Sequence, residues 1–535
     1  MAASINPYSR SREPVYAAGG MVATSQPLAA QAGLAVLQDG GNAVDAAVAT
    51  AAALTVLEPT QNGIGGDAFA LVWDGVDLHG LNGSGCMPAQ ASKEALGLSS
   101  ETQPMSPHGW APVTVPGAPR AWADLHEQFG QLPFEQLFVP AIHYARHGMP
   151  LGPVVAEYWR RARAVYKDCL GLQHKPWWEV FFPDNFEPIP GARWSSEGHA
   201  STLEKIATSK GKAFYEGDLA EMMDAFSRQT GGYLRGEDLA SHHSNWVDPI
   251  SCEYRGYRVW EIPPNTQAIA ALQALRILEF LEMPAQRENE FGLHLQIEAM
   301  KLGLVDALAY VADANHMKIS PDVFTDDAYV AQRCGMIGDR AIDPVVGMPG
   351  GGDTVYLAVA DSDGMMVSFI QSNYQGFGSG LLVPDTGIAL HNRGCGFSLE
   401  SGHPNELAPG KRPFHTIMPG FLSSSDGKPI GPFGVMGAFM QPQGHVQVVL
   451  NTLLYQLHPQ AALDAPRWRW IEGRRVEVEQ SMPLHIVKSL MARGHDISVM
   501  PDDTGFGRGQ IIWRCENDVL VGGSETRADG QIAAF

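Results

Sequence analysis

The chain has 535 residues, 45% hydrophobic and 18% charged, which is enough apolar material for several packed cores and leaves no room for a long disordered tail. A formal net charge of −21 argues against nucleic acid or an anionic membrane surface as a partner. The six cysteines (Cys86, Cys169, Cys252, Cys334, Cys395, Cys515) lie far apart with no CxxC pair, so reduced thiols in a cytoplasmic setting fit better than a disulfide framework or a zinc site.

The first twenty residues hold Arg10, Arg12 and Glu13 but no apolar stretch of secretory type. Residues 20–25 read as a short strand and cap. A helix over 27–38 follows, ended by Asp39, Gly40 and Gly41 as a glycine C-cap. Residues 42–57, nearly all Ala, Val and Leu, predict a second helix buried on most sides and stopped at Glu58-Pro59. This run is short for a membrane span and carries Asp45. Gly63, Gly65 and Gly66 then form a turn feeding a strand to Trp73. The glycines precede a strand and open no helix, so they are not a dinucleotide fingerprint. Amphipathic helices are expected over 272–282 and 294–314.

The stretch around which the rest is organised is 350–361. Three glycines, free in backbone angle, meet Asp353 and Thr354 and then a strand in which Val355, Leu357 and Val359 alternate with Tyr356, Ala358 and Ala360. Residues 361–364 read as a turn and 365–372 as the returning strand, so Thr354 opens a hairpin. A hydroxyl at that seam can attack its own preceding carbonyl. The opened peptide frees an α-amine beside the hydroxyl, a known way of activating threonine.

Gly40-Gly41-Asn42-Ala43-Val44-Asp45-Ala46-Ala47-Val48-Ala49, then Glu58-Pro59 and Gly63-Ile64-Gly65-Gly66, closely resemble the N-terminal signature of the γ-glutamyltransferase family. Val115-Pro116-Gly117, residues 140–148, residues 213–217, Gly231-Gly232-Tyr233, Glu298-Ala299-Met300-Lys301 and Gly410-Lys411-Arg412-Pro413 keep the family's order. Asp353-Thr354 falls where that family cuts itself. The resemblance implies an α+β N-terminal-nucleophile hydrolase fold, an αββα sandwich of two mainly antiparallel sheets between helical layers. It also implies a large subunit, 1–353, and a small one, 354–535, forming one intertwined domain that could pair further as a homo-oligomer.

By the same resemblance, Thr354 is nucleophile and base, Ser372 assists it, and Gly437 with Ala438 supplies backbone donors to an oxyanion. Ala438 replaces a glycine of the family, a change that spares backbone N–H groups. The acyl-binding positions fall on Lys93, Tyr374, Arg393, Gly396, His415 and Thr416. Gly396 stands where enzymes acting on glutathione keep an acid for the α-ammonium. A positive pocket of Lys93, Arg393 and His415 predicts an acyl group that ends in a carboxylate and lacks the amine, such as a glutaryl amide or an oxamate-like half-amide. Alternatively Arg393 pairs with a local acid, Glu400 or Asp385, and Asp67 either contacts the pocket or caps its turn.

Other patterns carry less. Ser209 to Lys212 has SxxK spacing without its companion triplets. Residues 376–380 lack the lysine and helix of a phosphate loop and are expected beside Thr354. His242-His243 and the other histidines show no ligand spacing, so no metal is expected. The sequence therefore points to a self-processing amidohydrolase, with hydrolysis or transfer of an acyl group from a small amide and no cofactor. The competing reading is a processing-deficient relative that binds a small anion without turnover.

Overall fold

Side chains on a strand alternate between faces, and one strand shows how the layers are built. We label β1 (Gly20–Thr24), α1 (Pro27–Gln38), α2 (Ala43–Leu57), β2 (Asp67–Trp73), α3 (Ile269–Glu279), α4 (Glu290–Tyr310), β3 (Asp353–Asp361), β4 (Met366–Tyr374) and β5 (Pro429–Met436). Val355, Leu357 and Val359 of β3 enter a core shared with α1 and α2, while Tyr356, Ala358 and Ala360 enter a second core shared with the facing sheet. These positions come from a computed structural model that describes residues 12–98, 104–344 and 353–535.

One antiparallel sheet runs Gln531–Ala534, β1, β3, β4, β2, Leu78–Asn82, Asn245–Val247. The other runs Val15–Ala17, Leu520–Ser524, Arg508–Arg514, β5, Gly420–Ser424, Tyr257–Glu261, Ile250–Tyr254. The two press together where β3 crosses β5. A Cβ placed on Gly434 would stand 2.5 Å from the Tyr356 ring, so only glycine lets the tyrosine lie flat there. Helices α1 and α2 cover the first sheet, and α3 and the helix Met440–Val449 cover the second with α4 packed on α3, giving the expected αββα sandwich.

Local chemistry explains the ends of these elements. Asn42 caps α2 in a capping box with Asp45, and Gly40 closes α1 at φ +90° while the Gly41 N–H donates to the Val36 carbonyl. The Asp361 carboxylate takes the N–H groups of Asp363 and Met365 within its turn and that of Ala43 at the head of α2, so one side chain shapes the hairpin and docks it. Helices α3 and α4 begin three and four residues earlier than the periodicity suggests. For α4 the reason is Asn289, whose side chain accepts the N–H groups of Phe291 and Gly292. Nor is α4 amphipathic, because residues 292–304 are continuously buried.

Strands from both sides of position 354 interleave in both sheets, with β1 lying between β3 and Gln531–Ala534. A chain opened before Thr354 would leave neither piece with a complete sheet. Among the described residues no helix is long and apolar enough to cross a membrane.

Candidate active site

Thr354 sits at the head of β3 on the inner face, where the ladder slips. Asp353 pairs Tyr374 and Val355 pairs Gln371, so two steps on β3 span three on β4. Glycines 350–352 lie outside the described residues. The buried Thr354 Oγ1 is 3.1 Å from Ser372 Oγ, which also accepts the Tyr374 N–H at 2.7 Å. The backbone then bends sharply, because Tyr374 takes the left-handed conformation at φ 75°, a strain of about 1–3 kcal/mol for a non-glycine residue.

Register places Asp67 of β2 directly opposite Ser372. Its fully buried carboxylate is the hub of a charged cluster and accepts no hydrogen bond from the turn before β2 among the described residues. Asp67 Oδ2 accepts from His415 Nε2 at 2.9 Å and lies 3.2 Å from His391 Nδ1 and 3.6 Å from Arg393 Nε. Burial alone would raise this carboxyl, but His391 and His415 hold it well below the usual carboxylate range. Burial pushes His415 down to about 3, with Arg393 adding to the effect, so its ring is neutral and donates one proton to Asp67. Burial also lowers Arg393 to about 10, with Asp67 opposing, and the guanidinium keeps its charge at neutral pH.

Arg393 Nη1 donates to Thr416 Oγ1 at 2.9 Å, and its guanidinium lies 4.3 Å over the Tyr374 ring. Its Nε and Nη2 find no hydrogen-bond partner among the described residues, nor does Asp67 Oδ1. Two buried donors and one buried acceptor therefore stand in one cluster without a hydrogen-bond partner among the described residues. Gln267 fastens this wall to the glycine turn, donating to the Thr416 carbonyl at 2.6 Å and the Ala438 carbonyl at 2.8 Å. Gly437 and Ala438 both have positive φ, 132° and 48°. At Ala438 that conformation carries the usual penalty for a side chain.

Several sequence expectations change. The acid beside Arg393 is Asp67, not Glu400 or Asp385. Lys93 does not join a positive pocket: its ammonium is held by Glu406 at 2.5 Å and the Leu399 carbonyl. His415 contributes a neutral donor, leaving Arg393 as the cation of this wall. Gly396 offers no vacancy for the family's acid, because a Cβ there would come within 2.4 Å of the Phe414 carbonyl oxygen. Restoring that acid as Gly396→Asp should therefore cost about 1–3 kcal/mol of stability through overpacking and bring no γ-glutamyl activity. Urea unfolding checks this, and an unweakened variant that gains γ-glutamyl turnover would contradict it.

His391 and Gln267 escaped sequence reasoning. His391 is two residues from Arg393 but lies outside any periodic pattern, and Gln267 reaches the site only through tertiary contact. Of the glycine loop expected beside Thr354, Gly376 and Phe377 line a cavity of about 400 Å³ that touches Gly437 but not Thr354. His242 is a core residue, while His294, Glu298 and His495 bring three ligand atoms within 4.8 Å of one another. His294 and Glu298 stand one helical turn apart, a spacing the sequence reading passed over. Lys301 Nζ sits 2.7 Å from Glu298 Oε1, so that carboxylate already has a cationic partner.

Two stacked antiparallel sheets between helical layers, with a threonine heading an inner strand, are the architecture of the N-terminal-nucleophile hydrolases. Residues 29–535 match the family described as Gamma-glutamyltranspeptidase. The chain is 36% identical over 522 residues to the glutathione hydrolase-like YwrD proenzyme of Bacillus subtilis (strain 168), covering 95% of this chain and 97% of that protein. It is 32% identical over 530 residues to the oxamate amidohydrolase proenzyme of Klebsiella pneumoniae, covering 96% and 98%. The crystal structure of a cephalosporin acylase from Bacillus halodurans matches with a TM-score of 0.95 at 53% identity, covering 100% of this chain and 99% of that one. The chain belongs to the gamma-glutamyltranspeptidase family, and it is an amide-cleaving enzyme of the hydrolase and acyltransferase kind.

Proposed function

We propose that the protein cuts itself before Thr354 and then hydrolyses, or transfers from, small amides whose acyl half ends in a carboxylate and lacks an α-amine. Thr354 Oγ1 attacks the scissile carbonyl, and the freed α-amine, with an ordinary pKa near ~7.7 to 8.0, takes the proton. Backbone N–H groups at Gly437 and Ala438 meet the oxyanion. The amine leaves, and water or an acceptor amine resolves the acyl-enzyme.

The observation that carries this reading is the buried Arg393 guanidinium with Nη2 unpartnered beside Thr416. A carboxylate is the group that would satisfy it with a charge-assisted hydrogen bond. The family's ammonium acid is replaced by Gly396, and the Phe414 backbone closes on that position. A γ-glutamyl ammonium would stand near Arg393 without its usual partner. Support also comes from the relatives, among them an oxamate amidohydrolase and a cephalosporin acylase.

One observation favours a second reading. Asp67 Oδ1 is buried and unpartnered, and could grip an α-ammonium in place of the lost acid. Side-by-side assay of γ-glutamyl, glutaryl and oxamyl amides decides between them. Loss of one partner from a desolvated charge pair costs about 2 kcal/mol or more, so a carboxyacyl amide should exceed the γ-glutamyl amide in kcat/KM by roughly 30-fold. A γ-glutamyl substrate ahead by orders of magnitude would transfer the role to Asp67.

A further inference from the structure

The strand Gly420–Ser424 pairs with β5 in antiparallel register, and the last pair toward the site is Gly420 with Phe433. Continued at that register, the ladder would set Thr416 against Gly437. The pairing stops short of it. On one side the chain leads back to Thr416, the partner of Arg393, and on the other β5 runs on into Gly437 and Ala438. What joins the two is a side chain from a third segment. Gln267, fully buried at the head of α3, donates from one amide nitrogen to the Thr416 carbonyl at 2.6 Å and to the Ala438 carbonyl at 2.8 Å. Both partners are carbonyls and can only accept, so the nitrogen must be the engaged end of the amide.

This brace is fixed at its root. The Gln267 N–H donates to the His415 carbonyl at 2.9 Å and the His415 N–H to the Asn265 carbonyl at 2.8 Å, which pairs Thr266 with His415 in parallel. The Gln267 carbonyl accepts the Ala270 N–H at 3.0 Å, tying it to the first turn of α3. A second glutamine repeats the device. Gln441, in the helix Met440–Val449, donates its backbone N–H to the Ala438 carbonyl at 3.1 Å, and its side chain accepts the Met418 N–H at 3.1 Å. Ala438 stands in a conformation that disfavours a side chain, and the bonds to its carbonyl hold it there.

We propose that Gln267 is a positioning residue that selects acyl chain length, by fixing the separation between the wall at Arg393 and Thr416 and the oxyanion donors at Gly437 and Ala438. The inference rests on the acyl site proposed above. A substrate must place its terminal carboxylate on Arg393 and its scissile carbonyl on the turn at the same time. With the separation fixed, one chain length meets both. A chain one methylene shorter or longer meets one and misses the other. Without the brace, wall and turn keep their own contacts and lose their spacing.

The test assays 4-nitroanilides of two length-matched trios on the processed enzyme: succinyl, glutaryl and adipyl, and the amine-bearing β-aspartyl, γ-glutamyl and δ-(α-aminoadipyl). In the wild type one length should lead its neighbours by roughly tenfold or more in kcat/KM. Gln267→Met keeps much of the volume but has no proton to donate. It should lower kcat for the best chain by roughly tenfold and bring the three lengths within about threefold of one another. Gln267→Asn retains an amide too short to reach both carbonyls, so it should flatten the profile in the same way, and it decides the matter if the methionine variant does not fold.

A wild type with no length preference, or a variant in which every chain falls by the same factor and the ranking survives, would overturn the assignment and make Gln267 a structural residue. Which trio leads is a separate result. Amine-bearing chains in front would displace the proposed acyl group, while flattening within that trio would still uphold Gln267.

Discussion

Purified wild-type protein is expected as two fragments, the smaller beginning Thr-Val-Tyr-Leu, while Thr354→Ala remains a single chain of 57.8 kDa. The reasoning is local. Thr354 Oγ1 attacks the Asp353 carbonyl carbon, the peptide C–N bond breaks, and an ester joins Asp353 to the hydroxyl. Water then splits the ester, leaving an Asp353 carboxylate and a free Thr354 amine. Ser372 Oγ, 3.1 Å away and fixed by the Tyr374 N–H, holds the hydroxyl, and the ladder slip at Thr354 frees the reacting peptide from regular pairing. Alanine keeps the strand but removes the attacking oxygen. Intact mass and N-terminal sequencing read the result directly. One uncut chain in both proteins after long incubation would end the self-processing mechanism and favour a small-anion binder without turnover.

How much of this was visible in the sequence differs by layer. Strand alternation after Thr354, the glycine end of α1 and the buried run of α2 are local properties, and their residues announce them. The helix limits drifted because the cap Asn289 lies outside the apolar repeat. At the site, Thr354 and Ser372 were legible as a seam and a returning strand. Their meeting is a matter of register within one hairpin. The charges around Arg393 were not legible, because Asp67 is some three hundred positions away and arrives only through the β2 to β4 pairing. The family resemblance placed Lys93, Arg393 and His415 in one positive pocket. Pairing with Glu406 and burial of the imidazole removed two of the three. Likewise Gly396 reads in one dimension as a missing acid, whereas in space the Phe414 backbone fills the place.

Arg393→Met should then have the second-largest effect. Methionine keeps much of the apolar volume but removes the donors to Thr416 and the cation beside Asp67. If the guanidinium holds the acyl carboxylate, its loss removes one partner of a desolvated ion pair, worth about 2 to 5 kcal/mol, or roughly 30- to several-thousand-fold in kcat/KM for a glutaryl amide. The decisive readout is selectivity, not activity. A butyryl amide has no terminal carboxylate and should be a poor substrate of the wild type. In Arg393→Met the ratio of glutaryl to butyryl turnover should collapse toward unity, because the contact that distinguishes them is gone. A variant in which both substrates fall together and the ratio survives would instead make Arg393 a positioning residue, acting through Thr416 and Tyr374 on the wall of the site. Arg393→Lys refines the outcome: a lysine keeps the charge but not the planar fork that reaches Thr416 and a carboxylate together, so only part of the selectivity should return.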